Sequence, residues 1–190
     1  MANVAVMMAD GCEEIEALTV VDLLRRGKIS CDMLSISGSL TVTGSHGIAF
    51  SCDALLSEKD VNTYDALVLP GGMPGTVNLK ESEGVQMALK DFSEQGKLLA
   101  AICAAPALVL GEGGFLEGYE ATCYPGMEDH LKGAKVRTDV PAVRDRDRIT
   151  SRGLGTAIPF ALSILSFFDG EEAAGALKEA IVFSPEDMLY

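Results

Sequence analysis

The 190-residue sequence has no tryptophan, only two histidines (His46 and His130), and 15 basic residues against 28 acidic ones. The shortage of Lys and Arg excludes the usual way of holding nucleic acid, because affinity for a phosphate backbone rests on those side chains. It equally excludes attraction to an anionic membrane surface. With a net charge of -13 the chain is expected to bind neither, and its acidity serves solubility. Two histidines leave metal chemistry few ligands, and the five cysteines (Cys12, Cys31, Cys52, Cys103 and Cys123) contain no C-x-x-C pair, so neither a metal site nor any cofactor is expected. The amino terminus has no basic n-region, and the odd cysteine count reads as free thiols rather than a disulfide framework. No run reaches the ~18 apolar residues that a membrane-spanning helix needs. A cytoplasmic location is the expectation.

What is present is the composition of an ordinary globular protein, 48% hydrophobic and 23% charged, with no repeat, linker or low-complexity block. One domain over 1–190 is expected. Short apolar runs alternate with amphipathic stretches, which predicts α/β units around a mainly parallel sheet with helices on both faces. The runs at 4–8, 29–36, 64–72 and 98–102 read as strands, and 148–156 as a strand-to-turn. Helices are expected at 13–26, 83–95 and 157–168, after the residue at 103, and from about 171, with a small hairpin at 41–50. In such sheets ligands sit just beyond the carboxyl ends of the strands. Asp10 to Glu16, Gly71-Gly72, Cys103 and Gly153 to Thr156 all fall at such ends.

The stretch Leu98-Leu-Ala-Ala-Ile-Cys-Ala-Ala-Pro106 has the form strand, small-x-nucleophile-x-small, helix. A nucleophile elbow needs small residues on either side because its sharp turn crowds the backbone, and Ala101 and Ala105 satisfy that need. A helix amino terminus favours a thiolate at Cys103; the bland alternative is a buried cysteine in an Ala-rich strand. Glu13 and Glu14 read as solvated charges favoured by the helix dipole, whereas Glu16 lies among Ile15, Ala17 and Leu18 and is expected to point inward. A carboxyl beside a thiolate raises both proton affinities, so the pair is stable when one proton is shared. The N–H of Gly72, following Gly71, could form an oxyanion hole with that of Ala104; a plain tight turn is the alternative. Cys12 or Cys123 could serve as a resolving thiol, and Gly153-Leu-Gly-Thr156 could receive an anionic group at a helix start. His46 falls in the hairpin, at the surface or an interface, and His130 reads as a solvated helix residue.

Glu14-Ile-Glu16, Leu69-Pro-Gly-Gly72, Ala100-Ala-Ile-Cys-Ala-Ala-Pro106 and Thr150-Ser-Arg-Gly-Leu-Gly-Thr156 occur in the order seen in the ThiJ/PfpI superfamily. More narrowly, the chain resembles the Parkinsonism-associated protein deglycase, YajL-like branch. The resemblance implies a flavodoxin-like α/β sandwich, usually a homodimer, with Cys103 reactive, Glu16 its protonated partner, and Gly72 and Ala104 the backbone donors. Gly71, Arg152 and Gly153 are the neighbours it places at the site. Two departures stand out. Ala104 replaces the histidine that follows the nucleophile in the peptidase and amidase branch. Tyr124, in Thr122-Cys-Tyr-Pro125, occupies a place where some deglycase-branch members carry histidine, and a phenol with a pKa of about 10 is a poor base at neutral pH.

Three functions compete on these residues. The first is a cysteine-dependent, cofactor-independent deglycase or glyoxalase acting on methylglyoxal-type α-oxoaldehydes and their early adducts on protein groups. The second is an oxidative-stress sensor and redox-regulated chaperone working through Cys103 oxidation. The third, a cysteine peptidase or amidase, is discouraged by Ala104 and Tyr124.

Overall fold

Apolar runs without polar alternation form strands covered on both faces, and the computed structural model, which describes residues 2–184, has such strands at its centre. In chain order the strands are β1 (Asn3–Met8), β2 (Ser30–Ser35), β3 (Thr41–Thr43), β4 (Ala49–Ser51), β5 (Ala54–Leu55), β6 (Ala66–Leu69), β7 (Leu98–Ile102), β8 (Glu120–Ala121), β9 (Lys135–Val136), β10 (Ala142–Asp145) and β11 (Arg148–Ser151). Seven of them form one sheet in the order β10-β11-β7-β6-β1-β2-β5. Every pairing in it is parallel except β10 with β11. The hairpin of β3 and β4 and the short pair β8 and β9 lie outside this sheet.

Alternate side chains leave opposite faces of a strand, and here they divide the interior in two. Val4, Val6 and Met8 of β1, with Leu98, Ala100 and Ile102 of β7, join Val20 and Leu24 of α1 (Glu14–Arg26). Phe160 and Ile164 lie in the same cluster. Ala5, Met7, Leu99 and Ala101 face the other way, against Leu79 of α2 (Gly75–Glu81) and Leu89 and Phe92 of α3 (Glu83–Glu94). A π-helical segment, Pro106–Gly111, completes that second layer. The expected flavodoxin-like sandwich is the observed fold.

One local difference from the sequence reading has a simple cause. The short helix α2 was not expected, since Gly75, Thr76, Val77 and Asn78 are poor helix formers; it is held by tertiary contact, with Leu79 fully buried and Thr76 N–H donating to the Gly72 carbonyl at 2.9 Å. The two helices expected near the carboxyl end are both present: α4 (Ala157–Ala180) is broken between them at Gly170, φ 86°. Among the described residues no helix is long and apolar enough to cross a membrane.

Arg148, in β11, is 2% exposed. Its guanidinium donates to the carbonyls of Phe115 (3.0 Å), Asp147 (3.0 Å) and Lys97 (3.4 Å) and to the Ser93 hydroxyl (2.8 Å). The Asp147 carboxylate at 3.1 Å balances its charge. A buried charge is tolerable only when paired and hydrogen-bonded in this way.

Candidate active site

The chain turns sharply after β7, and Cys103 sits on the turn with φ 67°. A side chain in the left-handed region costs roughly 1–3 kcal/mol, so the surroundings must hold it there. They do so through two backbone bonds: Cys103 N–H donates to Ser151 O at 3.0 Å, and Tyr124 N–H donates to Cys103 O at 2.8 Å. Ala101 and Ala105 are fully buried on either side. Cys103 thus occupies the expected elbow, with an ordinary turn between it and the π-helical segment.

Glu16 reaches it from the first turn of α1. Its carboxyl is 1% exposed, hydrogen-bonds the Cys103 thiol, and accepts the Gly71 N–H at 2.9 Å. Gly71 has to be glycine: a Cβ there would stand 2.5 Å from Cys103 Cβ and 2.6 Å from Glu16 Oε2. Its carbonyl accepts the Glu13 N–H at 2.9 Å, which staples the Gly71-Gly72 loop to the start of α1. Gly72, at φ 88°, supplies the left-handed turn that follows. The N–H groups of Gly72 and Ala104 are both directed at the Cys103 sulfur. They therefore stabilise sulfur charge in this state.

Burial pushes Glu16 up to about 7; the hydrogen bonds from Cys103 and Gly71 oppose this and the charge of Glu13 adds to it. Burial, then the Glu16 carboxyl, push Cys103 up to about 12, against the two backbone donors. Cys103 alone is thus not the low-pKa thiolate that a helix amino terminus would make. The two groups titrate as a unit: sulfur becomes anionic when Glu16 holds the shared proton. A group near 7 can take that proton and return it at neutral pH.

The other expected neighbours are brought to the same place. A Cβ on Gly153 would lie 3.4 Å from the Tyr124 ring and 3.9 Å from Glu16 Oε1, so these three line one side. Tyr124 is 51% exposed, and Arg152 is half-buried on the adjoining loop, close enough to Cys123 to influence it. The anion site expected at Gly153 to Thr156 is filled from within. Thr156 Oγ1 accepts the N–H groups of Arg152 (3.2 Å) and Gly153 (3.0 Å). Cys12 and Cys123 are buried, with thiols that burial pushes up to about 12, so neither is poised as a resolving thiol. His130 lies in a 3-10 turn, Glu128–His130, and bonds the Glu112 carboxylate at 2.6 Å, not in a solvated helix.

The sequence reading missed one part of the site. Glu14 is not a solvated charge: it is 4% exposed beneath the hairpin and accepts the N–H groups of His46 (2.8 Å) and Ile48 (3.4 Å). Burial opposes its ionisation, but these hydrogen bonds outweigh burial and hold it at about 2. His46 Nδ1 lies 3.2 Å from Glu14 Oε2 and 3.4 Å from Glu13 Oε2, with the Ser45 hydroxyl 3.0 Å away. Among the described residues, Glu13, Glu14 and His46 are the group whose ligand atoms lie together, within 4.8 Å of one another, and those atoms bond one another. The pairing of Gly44 and Gly47 around a polar tip was the available signal, but nothing local says what the tip would cover.

The DJ-1/PfpI family model matches residues 2–167. Protein DJ-1 homolog B of Arabidopsis thaliana is 35% identical over 183 residues, covering 96% of this chain but 42% of that protein. The chain therefore spans less than half the length of that relative. The glutathione-independent glyoxalase DJR-1.2 of Caenorhabditis elegans is 33% identical over 174 residues, covering 90% of this chain and 91% of that protein. Among solved structures, oxidized Toxoplasma gondii DJ-1 superposes with a TM-score of 0.93 at 34% identity, covering 97% of this chain and all of that one. A family match over residues 2–167, with a solved member of the family superposing over nearly the whole chain, shows that the protein belongs to the DJ-1/PfpI family.

Proposed function

We propose that the protein is a cysteine-dependent, cofactor-independent glyoxalase and deglycase acting on small α-oxoaldehydes of the methylglyoxal type and on their early adducts with protein groups. The observation that carries this reading is the buried Cys103–Glu16 hydrogen bond, flanked by the N–H groups of Gly72 and Ala104. That a relative 33% identical is named a glutathione-independent glyoxalase supports it.

The chemistry balances without an external oxidant or reductant. The Cys103 sulfur attacks the aldehyde carbon as its proton passes to Glu16, which hands it to the former aldehyde oxygen, and a hemithioacetal forms. Glu16, once more a carboxylate, removes the hydrogen from that carbon and a proton returns to the neighbouring ketone carbon through an enediol. The former aldehyde carbon thereby becomes a thioester and the ketone a secondary alcohol. Water cleaves the thioester, the carbon–sulfur bond breaks, and lactate leaves with the Cys103 thiol restored. Aldehyde oxidation and ketone reduction occur within one molecule.

The test is methylglyoxal consumption and lactate formation without glutathione, comparing the parent with Cys103→Ser and Glu16→Ala. Turnover in the parent and loss in both variants is expected; undiminished turnover in Cys103→Ser would overturn the reading. A second function is favoured by one observation: Cys103 is half-buried whereas the other four cysteines are buried. Oxidation by peroxide is then directed to Cys103, giving the redox-sensing and chaperone role, and mass spectrometry should find two added oxygens on its peptide alone. The protein acts as a homodimer in this reading, for which the half-exposed Ile15 and Ile48, beside Glu14 on helix and hairpin, offer an apolar face.

A further inference from the structure

Tyr124 stands at the site without a part in the chemistry above. Two backbone bonds fix its place: its N–H donates to the Cys103 carbonyl at 2.8 Å, and its own carbonyl accepts the Met127 N–H at 3.1 Å. The residue is thereby tied to the elbow that carries the sulfur. Its ring lies against Gly153, where Cδ2 and Cε2 are 3.4 and 3.7 Å from the position an added Cβ would take, and Glu16 Oε1 is 3.9 Å from that same position. Ring and carboxyl are therefore neighbours across a residue that has no side chain to separate them. Protein backs the ring on that side, and half of the residue remains open to solvent. Met73 and Leu154, both exposed, directly follow Gly72 and Gly153, so two of the loops that form the site also present apolar side chains to solvent.

In the hemithioacetal, the substituent on the ketone carbon is three bonds from the sulfur, and Glu16 must reach the hydrogen on the carbon bonded to sulfur. The substituent is thus held within reach of the ring that adjoins Glu16. A methyl group offers that ring little contact. A flat aromatic group can stack on it or meet its edge, an arrangement favoured at centroid separations of roughly 4.5–7 Å. We propose that Tyr124 is a specificity-determining residue, its ring a platform that selects α-oxoaldehydes carrying an aromatic substituent. With phenylglyoxal the steps are unchanged: the aldehyde carbon is oxidised, the ketone is reduced, one water is taken up, and mandelate leaves in place of lactate.

The inference rests on the proposed reaction, so it is read both with turnover and without it. With turnover, kcat/KM for mandelate formation from phenylglyoxal is divided by that for lactate formation from methylglyoxal. Tyr124→Ala removes the platform and should lower this ratio about two- to ten-fold, the worth of one aromatic pair. Tyr124→Phe keeps the ring and should hold the parent ratio. Each ratio is taken within one protein, so a fraction unfolded cancels; Tyr124→Leu, apolar but not flat, serves where the alanine variant folds poorly. Without turnover, mandelate and lactate are compared as protectants of Cys103 against iodoacetamide, followed by mass spectrometry; the other four thiols are buried. The two acids differ only in their substituent. Mandelate should protect the parent and Tyr124→Phe at a lower concentration than lactate, and that advantage should vanish in Tyr124→Ala.

A ratio unchanged in Tyr124→Ala overturns the inference. An equal fall in Tyr124→Phe also overturns it, because selection would then belong to the hydroxyl. Equal protection of the parent by both acids does the same. Failure of the glyoxalase reading looks different: neither aldehyde would be turned over, while mandelate still protected the parent better than lactate and lost that advantage in Tyr124→Ala.

Discussion

Replacing Glu16 by glutamine separates what this side chain does for chemistry from what it costs the fold. Glutamine keeps the shape, an acceptor for the Gly71 N–H and a donor towards the Cys103 sulfur. Burial raises the Glu16 carboxyl from its ordinary 4.5 to about 7, so the folded state holds this proton more tightly than the unfolded chain. Stability from the group is then fully present below pH 4.5 and is lost as the pH rises through 7. A shift of 7 less 4.5 units at 1.36 kcal/mol per unit amounts to about 3 kcal/mol of burden on the parent above that range. Glutamine carries no such burden. At pH 8 the variant should therefore melt higher than the parent, by roughly 6–12 °C for a chain of this size. At pH 4.5 the two should nearly coincide. Self-repulsion among the acidic side chains acts on both proteins and leaves their difference intact. The assay is paired thermal melts at the two pH values, alongside glutathione-independent methylglyoxal consumption, which should fall by roughly 10²–10⁴-fold with the proton-transfer group gone. A variant no more stable than the parent at pH 8, or a gap of equal size at both pH values, would refute the reasoning.

Three further outcomes follow from the same geometry. Parent kcat/KM for methylglyoxal should rise with pH through about 7, as the Cys103–Glu16 pair gives up its first proton, and a flat profile between pH 5 and 8 would contradict the assignment of Glu16 as proton acceptor. Gly71→Ala should abolish turnover and Cys103-selective alkylation together, because the new methyl falls 2.5 Å from Cys103 Cβ and 2.6 Å from Glu16 Oε2; retention of both would mean that the loop moves freely. Arg148→Lys should lower stability by about 3 kcal/mol in denaturant titration, since one ammonium cannot reach the four acceptors that the guanidinium joins; a loss below about 1 kcal/mol would show that they pair with water as readily.

The central strands were legible because nothing about them is ambiguous: Leu98 to Ile102 is apolar throughout, as a strand covered on both faces requires. Cys103 and Glu16 were legible for a related reason, since small residues around one and apolar residues around the other are local facts. Glu14 was not. Its helical position favours an acid through the dipole alone, and its burial comes from a hairpin tip more than thirty residues away. The direction of the Gly72 and Ala104 N–H groups likewise depends on where two separate turns meet. Helix α2 escaped because its residues form helix poorly by themselves and do so only beneath buried Leu79. The proton balance of the pair combines all of these, so the sequence predicted a shared proton without indicating that burial is its main cause.

Arg148 also bears on how this fold meets its environment. One cation joins the carbonyls of residues 97, 115 and 147 to the hydroxyl of Ser93, drawing four points of the chain to a single centre. In many proteins a bound calcium or zinc ion performs such clamping, and the fold then inherits the ion's supply and its exchange with chelators. A guanidinium is covalently part of the chain and keeps its charge at every pH a cell reaches. This corner of the molecule is thus assembled as soon as it is synthesised, and competition for metal cannot take its clamp away.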